Sequence, residues 1–288
     1  MSKKSVFLLL ALFSTPVLAA DAASDHSTDI HYAAVPSNID YPTVIELPYR
    51  DSDYRLAYGE DPLQYGELWL PQFPSEKSEL IVLIHGGCWS NQYDIAQTYP
   101  LSTALANAGY SVWSLEYRRF GDSSGGWPGS FEDIVAGVEY ASNLNRFGAA
   151  IDHVAILGHS SGGHLALLAG SGKDVTVLNI DLVIGLAAIT DVIDYAAGSN
   201  SCQLAAAQFM GGDFQQIPQL YRAANPAEYS LLPNTILLHG DVDQIVPLQQ
   251  LALLSVEAYV FTGAGHFDWI HPGSPAFAFL LQLLQQRL

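Results

Sequence analysis

The stretch Gly158-His159-Ser160-Ser161-Gly162-Gly163 constrains this chain more than any other. A short apolar run, HVAIL at 153–157, leads into it, and a helix-forming run, HLALLAG, leads out. A chain that passes from strand to helix in so few residues brings the flanks of the turn together, and only small residues fit there. Gly158 and Gly162 supply them on either side of Ser160, in the pattern G-x-S-x-G. The helix that opens at this point aims the positive end of its dipole at the serine, which favours negative charge developing there. Ser160 is therefore the candidate nucleophile. The backbone N–H of Ser161, immediately after it, is a candidate oxyanion donor. The alternative is an ordinary glycine-rich turn, and the flanking strand and helix weigh against it.

The rest of the chain repeats the same rhythm. Residues 67–70, 80–85, 111–117, 182–189 and 235–238 read as strands, while 101–108 and 131–147 read as helices that stop at Gly109 and Gly148. Buried apolar strands alternating with helices predict an α/β fold, with a mostly parallel central sheet covered by helices on both faces. No repeat, low-complexity tract or linker divides residues 41–288, so one domain is expected. Residues 191–229 differ in texture and sit between two strands, as a small cap insertion over a site does. Residues 21–40 are small and polar without periodicity, and read as a mobile or draped N-terminal arm.

Residues 1–20 carry Lys3 and Lys4, an unbroken apolar run from 6 to 13, and Ala19-Ala20 at the end. That is the layout of a secretory signal peptide, and the run is well short of the roughly 20 apolar residues of a spanning helix. The expectation is an exported protein, periplasmic or secreted, without stable membrane insertion. Removing this leader takes away two of 11 basic residues and none of 29 acidic ones, which moves the formal charge from −18 to −20. Such a charge repels nucleic acid. Acidity on this scale also occurs in disordered chains, but 49% hydrophobic and 11% aromatic residues argue for a packed core.

Three further segments carry chemistry. Residues 81–89 end a strand in His85-Gly86-Gly87-Cys88-Trp89, where successive glycines let backbone N–H groups approach a substrate oxygen. Residues 238–247 follow a strand and offer two acids, Asp241 and Asp243. Residues 262–268 follow another strand and present His266 among small residues, with His271 as its competitor a few residues on. A neutral imidazole that takes the serine proton, oriented by an aspartate, completes the order Ser, acid, His. The other histidines read as turn-shaping (His85, His159, His164), as packed core (His239), as opening a strand (His153) or as lying in the arm (His26, His31). No pair has the spacing and company of a zinc site, so neither metal nor cofactor is expected. Cys88 and Cys202 are compatible with one disulfide pinning the insertion over the site, or with two buried thiols.

Together these segments resemble the esterase and arylformamidase (kynurenine formamidase-like) branch of the α/β hydrolases. The resemblance rests on HGGCW at 85–89, EYRR at 116–119, GGWPG at 125–129, GHSSGGHLAL at 158–167, HGDVDQIVP at 239–247 and GAGHF at 263–267, with YGEDPLQYGELWLP at 58–71 as lead-in strands. It implies an α/β-hydrolase fold. It also implies Asp243 rather than Asp241 as the acid, His266 as the base, and Gly87 and Cys88 beside Ser161 around the oxyanion. Trp89 and Trp127 are expected in the substrate pocket. The interval from Asp243 to His266 is short for this branch, so the helix between them should be truncated. The expected activity is hydrolysis of small or medium carboxylic esters through an acyl-enzyme. Hydrolysis of an aryl-formamide or other amide is the alternative, and a non-catalytic binding module on the same scaffold is the third reading.

Overall fold

The computed structural model describes residues 30–72, 78–171 and 174–288. The expected leader and residues 21–29 of the arm lie outside the described residues. Eight strands form one sheet among them: β1 Tyr54–Ala57, β2 Tyr65–Trp69, β3 Glu79–Ile84, β4 Ser111–Leu115, β5 His153–His159, β6 Leu182–Leu186, β7 Thr235–Gly240 and β8 Glu257–Phe261. Their order across the sheet is β1-β2-β4-β3-β5-β6-β7-β8. β2 runs antiparallel to both β1 and β4, and every neighbouring pair from β4 to β8 is parallel. The predicted α/β architecture is present.

Eight helices accompany the strands: α1 Tyr41–Ile45, α2 Tyr99–Asn107, α3 Gly129–Tyr140, α4 Ser161–Ala169, α5 Val192–Tyr195, α6 Ser201–Met210, α7 Pro218–Ala223 and α8 Pro275–Arg287. The period-two geometry of a strand sends successive side chains to opposite faces. Leu80, Val82 and Ile84 of β3 accordingly join one core with Ile134 and Val138 of α3 and Leu165 and Leu168 of α4. Ile81 and Leu83 join the other core, with Leu101 and Leu105 of α2 and Leu280 and Leu284 of α8. Both faces of β3 are therefore dry, which is why its sequence is a continuous apolar run rather than an alternating one. Each such fully buried aliphatic side chain contributes roughly 2 kcal/mol.

Local chemistry sets the ends of these elements. Pro100 occupies the first turn of α2, where its missing N–H costs nothing. The helix predicted over 131–147 is α-helical only to Tyr140. It then tightens into a 3-10 turn over Ala141–Phe147, which Gly148 ends in a left-handed conformation. The stretch 191–229 holds α5, α6 and α7. Asn200 caps α6 by accepting the Gln203 N–H at 2.9 Å, while its own side-chain amide donates to the Ile245 carbonyl at 2.9 Å. That second bond ties the start of α6 to the turn after β7. Between Asp243 and His266 there is only a 3-10 turn, Leu248–Leu253, before β8. The parallel strands β3, β5, β7 and β8 all end on one edge of the sheet, and the turns that follow them build the site.

Candidate active site

Ser160 sits between β5 and α4 with φ 56° and ψ −119°, a conformation far from the helical and extended basins. The surroundings impose it. A Cβ on Gly158 would lie 2.2 Å from the Gly162 carbonyl oxygen, and one on Gly162 would lie 2.3 Å from that of His85. No side chain fits at either place, so the two glycines are what allow the serine to stand at the tip of the turn. The elbow is also fastened to β6, since the Ser160 N–H donates to the Leu186 carbonyl at 2.9 Å.

His266 comes from the turn after β8 and lies 6% exposed. Its Nδ1 is 2.7 Å from Oδ2 of Asp243, the turn residue after β7. The other carboxylate oxygen accepts the N–H groups of Ile245 and Val246 at 2.8 and 2.9 Å. Burial pushes the Asp243 carboxyl up, but the His266 charge and hydrogen bond, with help from His239 and the Ile245 amide, hold it below the usual carboxylate range. An ionised partner at that distance keeps the proton on Nδ1 and leaves Nε2 with the free lone pair. His239 lies under the pair, its Nε2 2.9 Å from the Val246 carbonyl and 3.5 Å from Asp243. Asp241 does something else: its side chain accepts the Gly263 N–H at 2.7 Å and shapes the adjoining turns. His271, the competitor, accepts the Gly273 N–H at 3.1 Å and does not reach the cavity.

The turn after β3 completes the ring of donors. Gly87, Cys88 and Trp89 are successively left-handed, with φ of 104°, 54° and 56°. The Trp89 N–H is taken by the Ser161 hydroxyl at 3.2 Å, whereas those of Gly87 and Cys88 bond to no acceptor among the described residues. Gly87, Cys88, Ser160 and His266 line one cavity of about 320 Å³. Beneath this turn, His85 is held by the buried Glu116 carboxylate at 3.0 Å and by the Gly86 carbonyl at 2.8 Å. Cys88 is joined to Cys202 in a disulfide that spans 114 residues, with Cα atoms 5.1 Å apart, and the bridge pins the first turn of α6 to the turn after β3.

Two expected pocket residues are elsewhere. Trp89 is completely buried beneath the cap, stacked on Phe209 with centroids 4.8 Å apart, and its indole N–H donates to His164 at 3.3 Å. Trp127 stacks on Phe131 at 5.5 Å and does not line the cavity. Their large apolar area is worth more in the core than at a wet surface. The walls come instead from Tyr41, Tyr93, Phe267 and Gln244, and from Asn200 and Ser201 at the start of α6. Gln244 and Phe267 lie inside the HGDVDQIVP and GAGHF blocks, which marked only their neighbours Asp243 and His266; no motif marked the others, and all of them meet only after folding. Among the described residues no group of three or more His, Cys, Asp or Glu is arranged to hold a metal ion.

A central parallel sheet with a serine elbow after β5, an acid after β7 and a histidine after β8 defines an α/β-hydrolase. The BD-FAE family model matches residues 67–257, and the chain belongs to that family. It is 25% identical over 264 residues to esterase LipC of Mycobacterium tuberculosis, an alignment covering 80% of this chain and 64% of LipC. It is also 25% identical over 245 residues to the isoprenylcysteine alpha-carbonyl methylesterase ICME of Arabidopsis thaliana, covering 74% of this chain and 56% of ICME. The chain thus spans less than two thirds of the length of either relative. Among solved structures, esterase B from Lactobacillus rhamnosis superposes with a TM-score of 0.69 at 22% identity, over 83% of this chain and 87% of that one.

Proposed function

We propose that the protein is a serine hydrolase of small or medium carboxylic esters that works through an acyl-enzyme. The observation that carries this reading is the pairing of Ser160, at a sterically enforced elbow, with His266, whose Nδ1 is bonded to the buried Asp243 at 2.7 Å, in one small cavity. Ser160 attacks the ester carbonyl and loses its proton to Nε2 of His266. The imidazolium is stabilised by Asp243 and then protonates the departing alcohol. Water, activated by the same imidazole, releases the acid and restores the serine. The N–H groups of Gly87, Cys88 and Ser161 receive the oxyanion, and loss of one such donor typically costs about 10²–10³ in kcat.

The volume of about 320 Å³ lies at the small end of ligand pockets, in keeping with a small substrate. LipC and ICME are both named as esterases, which supports an ester over an amide. Aryl-formamide hydrolysis uses the same groups and is separated by rate: turnover of N-formylkynurenine above that of phenyl acetate reverses the assignment. The deciding experiment for the serine is Ser160→Ala assayed on p-nitrophenyl acetate, alongside fluorophosphonate labelling of the wild type. Loss of turnover and labelling confined to Ser160 are expected. A variant as active as wild type ends this reading, and absence of labelling makes the chain a binding module. Export is part of the proposal. It is supported by the leader-like residues 1–20 and by the disulfide, which suits an oxidising compartment. N-terminal sequencing of the protein recovered outside the cytoplasm should begin near residue 21, and recovery of the uncleaved chain from the cytoplasm would refute it.

A further inference from the structure

Asp268 is fully buried two residues after His266, and the proposed triad makes no use of it. Its carboxylate accepts the Asn38 N–H at 3.0 and 3.1 Å and the Ile39 N–H at 3.0 Å, across some 230 residues of chain. The oxygen that holds Ile39 also accepts the N–H of Gly265, the residue before His266, at 2.9 Å. One carboxylate therefore grips both the N-terminal arm and the histidine loop. The fit is close: a Cβ on Gly265 would lie 2.7 Å from Asn38 Oδ1, and Asn38 itself is left-handed with φ 69°. Upstream, Val35 donates to the Gly273 carbonyl at 3.0 Å, so the arm is stitched to the same loop twice. Downstream, Asp40 caps α1 by accepting the Thr43 N–H at 3.1 Å, which fixes where Tyr41 starts the helix.

The consequence is at the cavity. The ring of Tyr41 meets Phe267 at 5.4 Å and Tyr93 at 5.6 Å, and all three line the space shared by Ser160 and His266. Phe267 in turn packs on the His266 imidazole at 5.0 Å. This aromatic wall stands on the side of the base. In acyl transfer the base hands its proton to the leaving oxygen, so the alcohol part of an ester lies on that side. Both Tyr41 and Asp268 fall outside residues 67–257, the stretch that matches the family model.

We infer that the end of the N-terminal arm and the start of α1 form a working wall of the active site: Asp268 clamps residues 38–39, and Tyr41 thereby limits the size of the alcohol group the site accepts. This inference rests on the ester-hydrolysis reading. The test measures kcat/KM for phenyl acetate, 1-naphthyl acetate and phenyl butyrate in wild type, Tyr41→Phe, Tyr41→Ala and Asp268→Asn. In Tyr41→Ala the naphthyl-to-phenyl ratio rises about tenfold, the scale of a pocket contact, while the butyrate-to-acetate ratio stays within twofold. Tyr41→Phe keeps the wild-type ratios, and Asp268→Asn moves toward Tyr41→Ala. Unchanged alcohol selectivity in Tyr41→Ala, or a change confined to the acyl pair, overturns the inference. Hydrogen exchange of the peptide spanning residues 38–39 reads the clamp without reference to turnover: protection is lost in Asp268→Asn, and retained protection refutes the clamp. A wild type inert on every ester sinks the ester reading and the selectivity role with it, while the exchange result still decides the clamp.

Discussion

The ring nitrogen Nε2 of His159 lies 2.9 Å from the carbonyl oxygen of His266, so the residue before the proposed nucleophile holds the backbone of the proposed base. Burial, reinforced by the neighbouring His266 charge, pushes His159 down to about 3, and its ring therefore stays neutral at working pH. A neutral ring has one N–H, and the bond to His266 takes it. Nδ1, pressed against Gly86, has no partner. A charged ring here would oppose the His266 imidazolium of the proposed mechanism, its centroid 4.6 Å away. His159→Phe removes the donor and should lower kcat about fivefold, the worth of about 1 kcal/mol, with KM nearly unchanged. His159→Gln, which can still donate, should recover most of the loss. Equal losses in Phe and Gln variants would reduce His159 to a space-filling role.

Acid sensitivity follows from the same burial. His159 is pushed down to about 3 and His164 to about 4, both chiefly because burial penalises the charged ring. In the unfolded chain each titrates near 6.5. A folded value below the unfolded one gives stability that is fully present above about pH 7. That stability is lost as pH falls through 6.5, and the loss saturates only below the folded values. Each histidine should remove about 1.4 kcal/mol of stability per pH unit between roughly pH 6 and 4. Asp243 and Glu116, both held low when folded, withdraw further stability below about pH 4. The urea midpoint measured from pH 7.5 to 4.5 should decline steeply below 6.5, and a flat profile to pH 5 contradicts the neutral-histidine reading. In His164→Gln the slope should be shallower.

The sheet and the elbow were legible because each has a local cause. Continuous apolar runs such as 80–84 have a structural meaning only when both faces of a strand are covered, and Gly158 answers a clash with the Gly162 carbonyl within five residues of chain. Asp243 and His266 were legible through motifs that keep short spacing inside single turns. The cavity walls were not. Tyr41 and Asp268 are brought together by bonds between residues some 230 positions apart, and Asn200 reaches Ile245 across 45. Trp89 was misread for a related reason. The family resemblance placed it in the pocket, yet the left-handed backbone at 87–89 turns it down onto Phe209 and His164. Backbone handedness of a non-glycine residue leaves no mark in the sequence.

Glu116 is the hidden support of the turn after β3, which carries the proposed oxyanion donors. Only 1% exposed, its carboxylate takes the N–H groups of Ile95 and Tyr117 at 3.1 and 2.9 Å, His85 at 3.0 Å and Arg119 at 3.2 Å. Burial alone raises its carboxyl, but His85, Arg119 and the Tyr117 amide more than offset this and leave it low. Glu116→Gln keeps the shape and removes one of the two carboxylates paired with the buried Arg119, the other being Asp122 at 3.2 Å. Breaking a buried pair in this way costs about 3–5 kcal/mol. Urea unfolding at pH 7 should register that loss, and kcat should fall with it as the Gly86–Cys88 turn loosens. An unfolding free energy within about 0.5 kcal/mol of wild type, in the usual scatter of surface substitutions, would show that the network carries no stability.

The bridge between Cys88 and Cys202 should act on stability and chemistry together. It closes a loop of 114 residues, and in the chain-entropy model a loop of that size is worth about 4–5 kcal/mol against the unfolded state. Its ends are a proposed oxyanion donor and the first turn of α6, whose Asn200 and Ser201 line the cavity. Cys202→Ser should therefore lower the urea midpoint and also lower kcat, because the Cys88 N–H is no longer held against the cap. The two effects separate by rescue. A saturating small ligand that refolds the cap restores the midpoint by mass action but cannot restore the missing tether during turnover. Thiol titration of the unfolded, unreduced wild type should find no free cysteine. Two free thiols, or a Cys202→Ser variant with the wild-type midpoint and kcat, would remove the bridge from both roles.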